Sequence, residues 1–196
     1  VLAETDVINM VSRGISAPNI LKGIHLSMAT RLSALLKSIG AVDGVVMVTG
    51  AGGSIGAELC RQIARFRPAR LVMFDISEAA LYEIRTALSD AFPQLGMIAI
   101  VGDVKHAALV EQTLAREKPD AIFHAAAYKH VPLMEETNAW QAVLNNAYGT
   151  WVIANAAVAA RVEKFVLVST DKAVNPTSVM GATKRVAEQV CQALQG

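Results

Sequence analysis

The stretch Val45-Val46-Met47-Val48-Thr49-Gly50-Ala51-Gly52-Gly53-Ser54-Ile55-Gly56 decides the fold of this chain. Its first five residues are mainly apolar and β-branched, without polar alternation, as in a strand that helices cover on both faces. Gly50, Gly53 and Gly56 follow at intervals of three residues. Apolar periodicity then resumes and predicts a helix from residue 54. A strand, a glycine turn and a helix in direct succession predict the start of a βαβ unit.

The remainder of the domain repeats this alternation of apolar runs and helical patterns. Predicted strands cover residues 45–49, 71–74, 97–101, 121–124 and 165–169, and predicted helices cover residues 54–65, 78–91, 106–117, 138–160 and 178–194. Strands that alternate with helices at short intervals are typical of a parallel sheet. We therefore predict the α/β class, with a doubly wound, Rossmann-like sheet and a crevice at the carboxyl ends of its strands.

The glycine turn has the features of a site for a dinucleotide diphosphate. Its glycines allow close approach of the backbone, and the free N–H groups at the helix start, on Ser54, Ile55 and Gly56, attract an anion. The spacing is G-x2-G-x2-G, whereas G-x-G-x2-G is commoner. Asp75 ends the second predicted strand, 19 residues after Gly56, where a carboxylate accepts hydrogen bonds from ribose hydroxyls and repels a 2′-phosphate. The sequence thus favours NAD over NADP.

Two further strand ends contribute candidates on the crevice side. Asp103 and Val104 follow the third predicted strand, where they can contact adenine or form a simple turn. Ala125 and Ala126 follow the fourth, and their small side chains permit a cofactor to approach the backbone. Lys129 lies just beyond them and has either a surface role or a role in the site.

A second chemical segment spans residues 169–184, with the sequence STDKAVNPTSVMGATK. Three polar side chains stand at its predicted strand end: Thr170, Asp171 and Lys172. In many nucleotide-cofactor enzymes a tyrosine precedes a lysine by four residues, so both project from one helical face and the lysine contacts the nicotinamide ribose. Lys184 fits the lysine role, but Met180 stands at the tyrosine position and cannot transfer a proton. The acid and base must therefore come from other residues.

Composition excludes several other classes of function. The 196 residues carry 18 Lys and Arg against 17 Asp and Glu, so no electrostatic footprint for nucleic acid or an anionic membrane is expected. Cys60 and Cys191 lack CxxC spacing, and His124 and His130 lack partners at metal-ligand spacing, so we predict no metal site. No apolar run reaches the roughly 18 residues of a membrane span. As given, the chain is expected to be cytoplasmic and without membrane contact.

Residues 1–44 are predicted to form an N-terminal arm or linker ahead of a cofactor-binding domain at residues 45–196. Residues 24–39 fit a short amphipathic helix, since Leu32, Leu35 and Ile39 recur at helical spacing. We expect this helix to pack against the domain or a neighbouring subunit.

Taken in order, the motifs resemble the extended short-chain dehydrogenase/reductase superfamily. They are the glycine turn, Asp75, Gly102-Asp103-Val104, His124-Ala125-Ala126-Ala127, Asn145-Asn146-Ala147-Tyr148-Gly149-Thr150 and residues 170–184. The sequence STDKAVNPT followed by VMGATKR is similar, more specifically, to the CapD-like nucleotide-sugar 4,6-dehydratases of bacterial polysaccharide biosynthesis, which act on UDP-N-acetylglucosamine. The resemblance covers residues 45–194, and the larger members share the methionine at position 180.

This resemblance implies a lyase reaction: transient oxidation at sugar C4, loss of water across C5 and C6, and return of hydride to C6. It implies Lys172 as the base at C5, Asp171 as the acid that helps the C6 hydroxyl leave, and Thr170 as a hydrogen-bond partner of the C4 oxygen. It also places Lys129 near the substrate and Asn146 in the helix that supports the active site. An aspartate that acts as an acid near neutral pH needs its pKa raised by desolvation or by charged neighbours.

Extended relatives continue into a sixth strand and a smaller sugar-nucleotide-binding domain, and the larger ones are anchored at the inner membrane, facing the cytoplasm. We therefore expect this chain to stop before its substrate domain, binding cofactor with little or no turnover of its nucleotide-sugar substrate. The small residues 154–160 predict a homo-oligomer interface. Two alternatives stay open: a nucleotide-sugar epimerase, which needs no acid and base like Asp171 and Lys172, and a noncatalytic NAD-binding module, consistent with Met180.

Overall fold

The computed structural model describes residues 12–14, 16 and 43–195. The predictions for residues 1–44, including the amphipathic helix at 24–39, therefore lie almost wholly outside the described residues. Five parallel strands form a sheet in the order β3-β2-β1-β4-β5. The strands are β1 (Val45–Thr49), β2 (Arg70–Asp75), β3 (Met97–Val101), β4 (Ala121–His124) and β5 (Lys164–Leu167). The predicted doubly wound parallel sheet is confirmed.

Helices connect and cover the strands. They are α1 (Ser54–Arg65), α2 (Glu78–Ala91), α3 (Ala107–Glu117), α4 (Val131–Glu135), α5 (Ala139–Ala142), α6 (Gly149–Ala159) and α7 (Val179–Ala193). A π-helical turn, Val143–Tyr148, joins α5 to α6, and a 3-10 turn, Asp171–Ala173, precedes α7. The single α-helix predicted for residues 138–160 was therefore wrong in its interior, because a π turn adds a residue that apolar periodicity does not reveal.

Apolar side chains fill both faces of the sheet. Val46 and Val48 point to the face covered by α1 and α2, whereas Met47 and Val72 point to the face covered by α3 and α6. Burial of each such side chain contributes about 1.5 to 3 kcal/mol. Because both faces are covered, the strands need no polar alternation, as the sequence predicted.

The order of the strands creates the crevice. The chain leaves β1 towards β2 on one side, and β4 lies on the other, so the loops that follow β1 and β4 diverge. Thr49 and His124 are level in the register of these two strands. The residues after them, the glycine turn and Ala125, therefore begin side by side at the carboxyl edge of the sheet.

Candidate functional site

The glycine turn is packed directly against the loop after β4. Gly50 has a φ of +68°, and a Cβ there would lie 2.5 Å from the backbone nitrogen of Ala126. A Cβ on Gly56 would lie 1.9 Å from the Gly50 carbonyl oxygen. Both positions therefore require glycine for backbone contacts within the protein, beyond any contact with a ligand.

The first turn of α1 differs from those of α2 and α7. Its N-cap, Gly53, makes no side-chain capping bond, and no acidic residue lies in the first turn. In contrast, Ser77 and Ser178 cap α2 and α7 by accepting hydrogen bonds from backbone N–H groups. Because the first N–H groups of a helix have no partner inside it, the start of α1 keeps its donors available for an anion.

Asp75 connects the glycine turn to the start of α2. Its Oδ2 accepts a hydrogen bond from the Gly52 N–H at 2.8 Å, and its Oδ1 accepts one from the Ser77 N–H at 2.9 Å. Each carboxylate oxygen keeps a second lone pair. Asp75 thus fixes the turn and can still accept hydrogen bonds from a ligand.

Seven of the predicted cofactor residues meet at one crevice of about 260 Å³, whereas Ser54, Ile55, Gly56 and Lys184 are not in its lining. Its lining includes residues from the glycine turn and from the ends of β2, β3 and β4: Gly50, Gly53, Asp75, Asp103, Val104, Ala125 and Ala126. Gly52, Ile76, Ser77, Tyr128 and Asn145 also line it. These five had not been predicted, although Gly52 and Asn145 stood within the quoted motifs.

A salt bridge lies on the β3 side of the crevice. The Lys105 Nζ is 2.8 Å from Asp103 Oδ2, and the Lys105 N–H donates to Asp103 Oδ1 at 2.9 Å. Lys105 had not been predicted as a site residue. It holds the Asp103 side chain in place and offsets its charge.

Lys129 lies in the loop after β4, at the start of α1. Its Nζ donates a hydrogen bond to Ser54 Oγ at 2.8 Å, and the side chain is exposed. The ammonium group therefore stands beside the uncapped helix end. Ile55 is half-buried in the same turn.

The segment after β5 is open to solvent. Thr170 Oγ1 donates a hydrogen bond to Asp171 Oδ1 at 2.9 Å, and Lys172 Nζ lies 3.6 Å from the same oxygen. The Asp171 and Lys172 side chains are 78% and 54% exposed. The hydroxyl of Thr170 and the charge of Lys172 lower the pKa of Asp171. Asp171 therefore does not have the raised pKa that the role of an acid would require.

Lys184 is buried, in contrast to Lys172. It is 4% exposed, and its Nζ donates to the Val168 carbonyl oxygen at 2.6 Å, just before the Thr170 segment. Burial lowers the pKa of Lys184 to about 8. The structure therefore brings Lys184 to the strand end that carries Asp171 and Lys172.

Met180 lies in a small apolar cluster. It is 4% exposed and packs with Met134 and Ala142, and Val131 and Val179 cover the cluster. A hydrogen bond also joins α4 to α7, because the Val179 N–H donates to Glu135 Oε1 at 2.7 Å. The side chain at the tyrosine position thus contributes to packing.

Asn146 is a fully buried connection between three segments. Its side chain accepts from the Tyr128 N–H at 2.8 Å, donates to the Tyr128 carbonyl at 3.0 Å and donates to Thr183 Oγ1 at 3.1 Å. It therefore joins the π turn to the loop after β4 and to α7, beside Lys184. π turns occur often at functional sites.

Within residues 12–14, 16 and 43–195, no group of three His, Cys, Asp or Glu side chains is placed to hold a metal ion. Over the same ranges, no helix has the length and apolar character to cross a membrane.

Residues 46–196 match the model of a family described as polysaccharide biosynthesis protein. The chain belongs to this family. CapD, a capsular polysaccharide biosynthesis protein of Staphylococcus aureus, is 45% identical over 150 residues, which are 76% of this chain and 25% of CapD. The chain thus spans about a quarter of that relative.

Relatives with two different activities also align. A UDP-glucose 4-epimerase of Rickettsia canadensis is 34% identical, over 76% of this chain and 43% of the epimerase. An inverting UDP-N-acetylglucosamine 4,6-dehydratase of Campylobacter jejuni is 29% identical, over 74% of this chain and 42% of the dehydratase. Proteins similar to this chain therefore carry both dehydratase and epimerase names.

Solved structures share the fold. Pen from Bacillus thuringiensis superposes with a TM-score of 0.72 at 31% identity, covering 78% of this chain and 47% of Pen. DesIV from Streptomyces venezuelae, a dTDP-glucose 4,6-dehydratase with NAD and TYD bound, gives 0.65 at 26% identity, covering 76% of this chain and 51% of DesIV.

The N-terminal part of the chain has a different similarity. Residues 1–65 match the BadF/BadG/BcrA/BcrD ATPase family model. One benzoyl-CoA reductase polypeptide of Thauera aromatica is 84% identical over 50 residues, which are 26% of this chain and 18% of that polypeptide. The two family matches overlap at residues 46–65. These residues contain most of β1 and all of α1. Sequence reasoning missed this similarity, and the arm or linker assignment of residues 1–44 stays a prediction.

Proposed function

We propose that this chain is the cofactor-binding and catalytic half of a nucleotide-sugar 4,6-dehydratase that acts on UDP-N-acetylglucosamine. The observation that carries the proposal is the carboxyl end of β5. There the Thr170-Asp171-Lys172 segment directly follows the strand whose end binds Lys184, through the 2.6 Å hydrogen bond to Val168. Side chains of the types that the reaction needs as base, acid and ribose-binding lysine thus lie at one edge of the sheet.

The chemistry of the crevice lining supports a dinucleotide as its ligand. The uncapped start of α1 offers N–H donors for a diphosphate, and Asp75 keeps free lone pairs for ribose hydroxyls. No Lys or Arg is among the described residues that line the crevice, and the Asp75 carboxylate there repels a 2′-phosphate, whereas Lys105 offsets the charge of Asp103. We propose NAD rather than NADP. A nicotinamide cofactor held there would supply the transient storage of the hydride that leaves C4 and returns to C6.

The residues of this chain take distinct roles in the proposed reaction. Lys184 binds the nicotinamide ribose, and Thr170 binds the C4 oxygen of the sugar. As hydride leaves C4, the C4 hydroxyl proton passes through Thr170 to the Asp171 carboxylate, which Thr170 contacts at 2.9 Å. Lys172 removes the C5 proton, which the C4 ketone makes acidic, and Asp171 gives its proton to the departing C6 hydroxyl. Lys172 returns its proton to C5 when hydride adds to C6. Lys129, at the helix start beside Ser54, lies where its positive charge favours the phosphates of cofactor or substrate.

The acid role of Asp171 requires a change on substrate binding. In the exposed segment its pKa is lowered, so it is a carboxylate at neutral pH. We propose that bound substrate and the substrate domain desolvate Asp171 and raise its pKa. Asp171 would thus become an acid only when groups outside the described residues surround it. We therefore expect little turnover by this chain alone.

An epimerase is the second candidate, favoured by the exposure of Asp171 and by the Rickettsia relative. An epimerase returns the hydride to C4 from the opposite face, so Asp171 and Lys172 need not act as acid and base. A third candidate, a noncatalytic NAD-binding module, agrees with the buried Met180.

One experiment separates the three. A protein that joins this chain to a sugar-nucleotide-binding domain is incubated with UDP-N-acetylglucosamine and NAD, and the product is analysed by mass spectrometry and NMR. Loss of one water supports the dehydratase, unchanged mass with an inverted C4 supports the epimerase, and unchanged substrate supports the module. Lys172→Met should abolish water loss but keep NAD binding, whereas Lys164→Met, at the far end of β5, should lose neither.

We also propose that the protein self-associates through α6. Ala154, Ala156 and Ala157 are buried in the chain's own core, so these three pack within one protomer, whereas residues 158–160 are exposed. An apolar stripe remains exposed beside them: Tyr148, Trp151 and Val158. The rings of Tyr148 and Trp151 stack with centroids 5.8 Å apart. Sedimentation should show a dimer that Trp151→Glu dissociates and Trp140→Glu, on α5, does not; a monomeric native protein would contradict it.

A further inference from the structure

His124, the last residue of β4, is fully buried and hydrogen-bonded at both ring nitrogens. Its Nδ1 is 2.6 Å from Thr49 Oγ1, and its Nε2 is 3.0 Å from Thr150 Oγ1. The sequence predicted only that this histidine is not a metal ligand. The two threonines are also buried, and they belong to β1 and α6.

The direction of each hydrogen bond follows from one fixed acceptor. Thr150 Oγ1 lies 2.6 Å from the Asn146 carbonyl oxygen, which can only accept, so the Thr150 hydroxyl donates to it. The Thr150 oxygen must then accept from His124, so Nε2 carries the proton. Nδ1 is consequently an acceptor, and the Thr49 hydroxyl donates to it. Burial, together with the charge of Lys184, lowers the pKa of His124 to about 3, which agrees with a neutral ring.

This chain of hydrogen bonds links the two halves of the crevice. Thr49 is followed by Gly50, the residue in contact with Ala126. At the other end, Asn146 holds both polar backbone atoms of Tyr128 and the hydroxyl of Thr183. Thr183 precedes Lys184 in α7. A displacement of the His124 ring would therefore shift both the glycine turn and α7, the helix that carries Lys184.

We propose that His124, as the neutral Nε2–H tautomer, is a positioning residue for the cofactor: it couples the glycine turn to the Asn146 turn and thereby sets the diphosphate end against Lys184. This inference rests on the proposed binding of NAD. A purely structural histidine would support folding without coupling the two ends. The difference is measurable as NAD affinity in variants that remain folded.

The test compares two substitutions by calorimetric titration of NAD. His124→Phe removes both hydrogen bonds, and NAD affinity should fall about tenfold or more. His124→Gln retains an N–H donor for Thr150, and affinity should recover to within about threefold of native. An unchanged dissociation constant in folded His124→Phe would overturn the positioning role.

A double-mutant cycle tests the coupling directly. Thr49→Val and Thr150→Val remove the outer hydroxyls with little change of shape. In the native background their effects on NAD affinity should be non-additive, because both act through one ring. In the His124→Gln background the coupling through Nδ1 should diminish, since the glutamine is chosen to preserve the Thr150 side. Fully additive effects in the native background would contradict the coupling.

A second measurement needs no variant. Imidazole ¹⁵N NMR of the native chain should show a neutral ring protonated at Nε2 from pH 5 to about pH 9. A ring protonated at Nδ1, or a cationic ring, would overturn the proposed network even if His124→Phe fails to fold. Failure of the native chain to bind NAD would instead overturn the proposed function, so the two failures are distinguishable.

Discussion

Two strand ends at the same edge of the sheet differ in how completely the protein has formed them. After β1, Gly50 is pressed against the backbone of Ala126, and Asp75 binds Gly52 and Ser77. After β5, Asp171 is 78% exposed. The first region is fixed by contacts within the chain, and we infer that the second is completed by substrate and additional protein.

Lys184 contrasts with the exposed pair at the end of β5. Its side chain is 4% exposed, and its ammonium donates to the Val168 carbonyl oxygen there. Under the proposed function, the contrast is between contacts preformed for the cofactor and an exposed Asp171–Lys172 pair in which binding has still to raise the pKa of Asp171. This difference predicts that substitutions in the first region alter stability and cofactor affinity, whereas substitutions of the exposed pair alter only turnover.

The largest expected effect is that of Gly50→Ala. The added Cβ meets the Ala126 backbone at 2.5 Å and the φ of +68° disfavours alanine, so the free energy of unfolding should fall by about 4 kcal/mol. Gly53→Ala is the matched control, because its φ is −68° and its Cβ would have 3.3 Å to the nearest atom. Gly53→Ala should lower the free energy of unfolding by no more than about 1 kcal/mol. Urea unfolding measures both, and equal costs would contradict the packed turn.

Met180→Tyr tests whether the buried methionine could be exchanged for the usual tyrosine. The larger ring and its hydroxyl enter the cluster with Met134 and Ala142, so the free energy of unfolding should fall by about 3 kcal/mol. Met180→Leu should cost less than about 1.5 kcal/mol. Thermal unfolding with tyrosine fluorescence provides the comparison, and a stable tyrosine variant would place position 180 at an open site.

The pH dependence of stability reports the burial of Lys184. Its pKa is lowered from 10.5 to about 8, so between these values the unfolded chain binds more protons than the folded one. Stability therefore rises as pH increases through this range. From pH 7 to pH 10 the free energy of unfolding should gain about 2 kcal/mol relative to Lys184→Met. Parallel pH profiles for the two proteins would contradict the lowered pKa of a buried lysine.

Asp171→Asn should have the smallest effect on stability. Exposed ion pairs contribute little, so the free energy of unfolding should change by less than about 0.5 kcal/mol, and NAD affinity should be unchanged. Arg70→Met is the contrasting control, since Arg70 contacts the buried Glu117 at 3.0 Å. This substitution should lower the free energy of unfolding by more than Asp171→Asn does. A larger loss for Asp171→Asn would show that this segment is already fixed.

Much of the fold was predictable because both faces of the sheet are covered. The apolar runs predicted all five strands, with β5 found at Lys164–Leu167 instead of residues 165–169. Helix α4 was missed, because five residues with Pro132 near the start carry too little periodicity. The π turn was missed for the reason given above, although the asparagines inside it had been selected.

The candidate site was predictable where backbone geometry restricts residue type. Glycines and small residues marked the turn, and seven of the predicted cofactor residues, from four strand ends, line one crevice. The polar network of Thr49, His124 and Thr150 was not predictable, since each residue is ordinary by itself and the contacts join distant positions. Burial also separates Lys184 from Lys172, which spacing alone could not do.

The most direct test of a preformed cofactor site is calorimetric titration of this chain with NAD and, separately, with NADP. We predict one NAD site per chain, tighter binding of NAD than of NADP, and a selective loss of that preference in Asp75→Asn. Absence of NAD binding by the folded chain would contradict the central claim, and preference for NADP would contradict the role given to Asp75.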